Sequence, residues 1–128
     1  MYSDLLIREL VLHFARAASV THPISVFTDP RSFERWQRHR GGLTKDEREH
    51  LRAGFALTFD RMTKPHEVYV NPPRHVSVVE LADTAAHEIV HLRWPHLGHG
   101  RLFDRRVQAL LAGYRCGPKR ERMTDAFR

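Results

Sequence analysis

Apolar residues recur at helical spacing from the start of the chain. Leu6, Leu10, Phe14 and Ala17, joined by Ile7, Val11 and Ala18, make a broad face, with Asp4, Arg8 and Glu9 interspersed. Ser3 can cap this helix, Tyr2 and Ile7 stand at staple positions, and the pattern carries it to about Ser19. After His22-Pro23 the period shortens, and residues Ile24 to Thr28 alternate as a strand that Asp29-Pro30 ends. Ser32 opens a short helix carrying Phe33 and Trp36, which Arg40-Gly41-Gly42 closes. A capping box from Thr44 to Glu47 starts another, through about Arg52. Residues Phe55 to Asp60 and Glu67 to Asn71 read as two strands with a connector short enough for a hairpin. Beyond Pro72-Pro73, the capping box Ser77-Val-Val-Glu80, with Val76 and Leu81 as its staple, begins a helix that ends near Pro95. Leu81, Ala82, Ala85, Ala86 and Ile89 are its packing residues. A last helix, from about Arg101 to Tyr114, puts Phe103, Val107, Leu110, Leu111 and Tyr114 on its apolar side.

Length and composition fit this pattern to one domain. With 128 residues, 41% of them hydrophobic, the chain suits a single core over residues 1–118, followed by a basic tail, 119–128. No apolar run is long enough to span a membrane, and Asp4, Arg8 and Glu9 interrupt what a signal peptide would keep apolar. Cys116 is the only cysteine, which excludes an internal disulfide and a cysteine-based zinc site. A monomeric cytoplasmic protein is the simplest expectation. The net charge of +6 favours polyanionic partners, nucleic acid above all. Arg31, Arg35, Arg38, Arg40, Arg48 and Arg52 could form a phosphate-binding patch or simply a solvated surface.

The chemistry is concentrated in His87-Glu-Ile-Val-His91. On a helix, residues four apart share a face about 6 Å apart along the axis, so the two imidazoles can converge on one ion at roughly 2.0–2.1 Å from each nitrogen. Glu88, beside the first ligand, can reach a water on the metal without ligating the metal itself. This is the H-E-x-x-H arrangement of metalloproteases. A catalytic zinc site needs a third protein ligand and keeps its fourth position open. The metzincin spacing would put Gly at 94 and His at 97, where this chain has Trp94 and Leu97. His99 and His96 are the nearby candidates. His99 is favoured because Gly98 and Gly100 on either side let the chain turn sharply. Glu121 would need a longer final helix. Asp83, one turn before His87, is either an outer-shell acceptor or part of a solvated face.

The segments from Glu67 to Pro72, from Glu80 to Arg93 and from His99 to Phe103 resemble the SprT-like and WLM-type zinc metallopeptidases and the related YgjP-like family. The resemblance covers roughly residues 55–114. It implies a zincin-like α+β domain, in which a small antiparallel or mixed sheet is packed by the N-terminal, active-site and C-terminal helices. It also implies Zn2+ held by His87, His91 and His99, with Glu88 as catalytic acid and base. A polypeptide substrate would then lie along an edge strand, Glu67 to Asn71, with Tyr114, His96 or nearby arginines as candidates to stabilise the oxyanion. Two features depart from the group. The stretch between the second and third histidines is a little longer than in its tightest members, and no cysteine zinc ribbon follows. Two other classes remain open: a catalytically inactive metal-binding module that binds protein or nucleic acid, and a basic nucleic-acid-binding domain with incidental histidines.

Overall fold

The structure, a computed structural model, describes residues 3–29, 31, 54–57, 65–71 and 77–117. Among them are helices α1 (Asp4–Ala17), α2 (Val78–Arg93) and α3 (Arg101–Leu111), and strands β1 (Ile24–Phe27), β2 (Gly54–Leu57) and β3 (His66–Val70). The expected helices at Ser32 and Thr44, the Tyr2 staple and the tail at 119–128 lie outside the described residues, as do all the patch arginines except the exposed Arg31.

Local chemistry sets the helix ends. Ser3 Oγ accepts the Leu6 N–H at 3.2 Å and Ser77 Oγ accepts the Glu80 N–H at 3.2 Å, so each serine satisfies an amide left over in the first turn. α1 stops at Ala17, two residues short of the expected end, because Ser19 turns to φ 57° and its amide reaches back to Arg16 O at 3.2 Å. α3 stops at Leu111. Gly113 takes φ +92°, the left-handed region open to a residue without Cβ, and turns the next residue, Tyr114, out to solvent.

The sheet runs in the order β1-β3-β2, with β1 parallel and β2 antiparallel to β3. The antiparallel pairing of the second and third strands matches the hairpin expected from sequence. The position of β3 does not match the expectation. Residues 67–69 pair on both sides, so the segment expected as the substrate's edge strand is the centre of the sheet. Successive side chains of a strand face opposite ways, and Val68, Tyr69 and Val70 are all buried, as suits a strand covered on both faces. Val26, Val68 and Ala56 form one row across the three strands, on the face that joins the core. On the other face Phe27 stacks on Tyr69 at 4.8 Å.

α2 lies at the centre of the packing, against α1, α3, β2 and β3. Its Leu81, Ala85, Ala86, Ile89 and Val90 are sealed from solvent, and each of the larger ones stabilises the fold by about 1.5–3 kcal/mol. The helix that carries the histidines is therefore held by packing against four other elements.

The end of α2 is tied to both ends of the fold. Arg93, buried, donates from Nε to Ala18 O at 3.0 Å and from Nη2 to Gly117 O at 3.5 Å. The Cys116 amide donates to Ala17 O at 2.7 Å, and Ser19 Oγ donates to Cys116 O at 2.7 Å. The guanidinium groups of Arg93 and Arg106 lie 4.9 and 4.2 Å from the Trp94 ring. Carbonyl acceptors and an aromatic face offset the cost of burying the Arg93 charge.

Gly54 is fixed by close approach. A Cβ there would stand 2.5 Å from Tyr69 O and 3.1 Å from Thr84 Cγ2, so β2 could not stay paired to β3 and packed on α2. Gly54→Ala is expected to cost about 1–3 kcal/mol, an overpacking penalty. Urea unfolding measures it, and an unchanged midpoint would show that the strand has room to shift.

Candidate metal centre

The spacing of α2 does what the sequence implied: His87 Nε2 and His91 Nε2 lie 3.2 Å apart. After α2 ends, a tight turn with the Leu97 amide on Trp94 O at 3.0 Å brings His99 back over the helix. His99 Nε2 lies 3.3 Å from His87 Nε2 and 3.0 Å from His91 Nε2. Two elements thus present three nitrogens as a near-equilateral triangle. Among the described residues, His87, His91 and His99 are the one group of three or more potential donors close enough to hold an ion. His87 and His91 are half-buried and His99 is exposed, so the site borders solvent.

The donor set fits a divalent metal such as zinc. Tetrahedral bonds of 2.0–2.1 Å would separate the nitrogens by about 3.3 Å, close to the distances found. Three imidazoles leave a fourth position for water or substrate, the pattern of catalytic rather than structural zinc.

Glu88 adds the second component. It is 4% exposed, and its Oε2 has no hydrogen-bond partner among the described residues. Burial pushes its carboxyl up to about 8, because desolvation penalises the charged form. A cation held beside it would act in the opposite direction, favouring the carboxylate. An acid group of this kind, between its usual range and neutrality or just above, can both take and return a proton.

Other candidates lie apart. His96 and Asp83 are exposed and outside the histidine cluster. Tyr114, 51% exposed, follows the far end of α3, three turns or about 16 Å along the helix from its start. Glu121 lies outside the described residues.

The flanking glycines do not take the special backbone that a sharp turn at His99 was expected to need. Gly100 has an extended backbone, φ 173°, Gly98 is not left-handed, and a Cβ at either would meet nothing within 4 Å. The loop owes its shape to the end of α2 and the turn at Trp94. Gly98→Ala and Gly100→Ala should therefore keep the fold and the histidine cluster, with stability unchanged or raised by up to about 1 kcal/mol through a stiffer unfolded chain. Thermal melts with and without zinc check this, and loss of zinc binding in either variant would restore the glycine argument.

One residue near the site was read from sequence as core and as the last residue of the segment His99 to Phe103 that carries the resemblance, with no role at the metal. Phe103, on the first turn of α3 and fully buried, has its ring 4.7 Å from that of His87, 4.7 Å from that of His91 and 4.9 Å from that of His99. Its spacing of four from His99 on an amphipathic helix was a visible signal, but the same spacing equally describes packing. Comparison with protein-family models, with curated proteins and with solved structures gives no match to this chain.

Proposed function

We propose that this protein is a zinc-dependent peptide hydrolase with a zincin-like arrangement, in which His87, His91 and His99 hold the ion and Glu88 moves the proton. The observation that carries the reading is the convergence of three Nε2 atoms within 3.0–3.3 Å, together with a buried carboxyl oxygen, on the residue that follows His87, that lacks a partner among the described residues. Incidental histidines would have no reason to converge, nor the acid that follows His87 to be buried, since burying an unsatisfied carboxyl is costly and groups perturbed in this way cluster at functional sites.

When bound, zinc supplies Lewis-acid polarisation of the scissile carbonyl and acidifies the attacking water. Glu88 would accept the proton from that water and return it to the leaving amine, and its burial strengthens its hold on the proton. Rigid α2 holds donor and base in one register, since Ile89, Val90 and Leu92 on the same turns are buried. An extended peptide would add to β2, the strand whose Gly54 lies against Thr84, one turn before Glu88, and whose outer side is unpaired among the described residues.

The substrate on this reading is a polypeptide, and the +6 charge makes proteins associated with nucleic acid natural targets. A lone cysteine suits the reducing cytoplasm. No helix among the described residues is long and apolar enough to cross a membrane.

The test combines metal content with cleavage. Purified protein should hold about one zinc per chain and cleave an unfolded protein substrate in a chelator-sensitive way. His87→Ala should lose affinity by more than the 10–100-fold typical of outer-shell changes, and cleavage with it. Stoichiometric zinc without cleavage of any unfolded substrate would favour an inactive metal-binding module. A chain that stays metal-free in excess zinc would end the proposal.

A further inference from the structure

We infer that Phe103 is the floor of the histidine tripod: a positioning residue that admits an ion to only one face of the three rings and so sets the direction of the open coordination position. The inference rests on the metal-site reading above and goes beyond it, because the ligands alone leave two faces available.

The centres of the three imidazoles are 4.8, 5.1 and 4.7 Å apart, nearly an equilateral triangle. Their Nε2 atoms are closer, at 3.0–3.3 Å, so each ring points its nitrogen inward. The centre of the Phe103 ring is 4.7, 4.7 and 4.9 Å from the three imidazole centres. A point so nearly equidistant stands on the axis of the triangle, here roughly 4 Å from its plane, the spacing of groups in van der Waals contact.

The ion must fall on the same axis. Nitrogen–metal bonds of about 2.0–2.1 Å, continued outward from each ring, place it roughly 1.5 Å from the plane of the ring centres, on one side or the other. On the Phe103 side it would lie about 2.5 Å from the phenyl centre, well inside the ~3.5 Å at which non-bonded atoms touch. On the opposite side it lies about 5 Å away and clear. The fourth tetrahedral position then points away from α3.

The ring has further effects. Contacting all three imidazoles, it limits their tilt, and being fully buried it denies water the rear of the site. Leucine would be apolar there but lacks the flat ring that meets three others at once. His99 and Phe103 are four residues apart, so one short segment supplies both the third donor and the floor.

The test is Phe103→Leu, read by zinc affinity and by the visible spectrum of the cobalt(II)-substituted protein, with Leu110→Ala as a control. Leu110 is an equally buried residue of α3, two turns further on. Phe103→Leu should weaken zinc about 10–100-fold and change the cobalt band positions and intensities, which report coordination number and symmetry. Leu110→Ala should lower the melting temperature of the metal-free protein yet keep zinc affinity within about twofold. Wild-type affinity and spectrum in Phe103→Leu would reduce Phe103 to ordinary packing while leaving the metal site intact. Failure of the wild type to bind zinc or cobalt would instead remove the site itself. If Phe103→Leu does not fold, the wild-type cobalt protein decides by NMR. Ring protons about 5 Å from the ion should be strongly shifted and broadened, and sharp unshifted Phe103 resonances would overturn the inference.

Discussion

Glutamine at position 88 is expected to leave zinc bound and to lower peptide hydrolysis by about 10²–10⁴-fold, the range of a lost general acid–base. The amide keeps the size of the carboxyl but cannot take a proton from water, while the three imidazoles are untouched. Unchanged turnover in Glu88→Gln would remove Glu88 from the mechanism. The same variant has a second, independent signature in metal-free protein. The Glu88 carboxyl sits at about 8 in the folded chain against an ordinary value of 4.5. The native state therefore holds this proton more tightly than the unfolded state. The stability from that proton is fully present below about pH 4.5 and is lost as pH rises through about 8. Glu88→Gln removes the dependence, so above pH 8 it should exceed the metal-free wild type by on the order of 4 kcal/mol, relative to their difference at pH 4.5. Urea titrations at several pH values measure the gap, and parallel curves would show that the carboxyl is solvated.

Chelation should produce the second large effect. Zinc at about a thousand times its dissociation constant adds roughly 4 kcal/mol to the folded state, which in a domain of this size is about 15 °C in melting temperature. His99→Ala should abolish most of that increment while changing the melting temperature of the metal-free protein far less, because His99 is exposed. Imidazole must shed its proton to ligate, so the increment should also shrink on acidification. Melting curves that coincide with and without zinc would contradict the site.

Much of this was legible in the chain because local rules and tertiary packing agree. Ser3 and Ser77 announced the starts of α1 and α2, and the apolar stripe at Leu81, Ala85 and Ile89 gave the buried face of the helix that carries the histidines. The pair four apart and the choice of His99 over His96 also emerge together in space. The order of the sheet was not legible. That β1 pairs parallel to β3 depends on a crossover of about forty residues, which periodicity cannot see. The run Val68-Tyr69-Val70 was the missed local hint, since an edge strand would alternate with polar residues. Arg93 and Arg106 were invisible as interior residues because a guanidinium reads as surface until carbonyls and an indole are found around it. Tyr114 failed for the opposite reason: the apolar stripe continues through it, but Gly113 turns the chain first.

The clasp at Arg93 has a practical bearing on how the molecule can be handled. His91 sits half a turn before a side chain that is moored to Ala18, just after α1, and to Gly117, beyond α3. A reporter or affinity handle grafted directly behind Tyr114 would cut away the Gly117 side of that mooring and loosen the last turn of α2 beneath the ligand. Fusions made past Gly117 would leave it fast, so loss of zinc in a shortened clone would be a fault of the cut and not of the histidines.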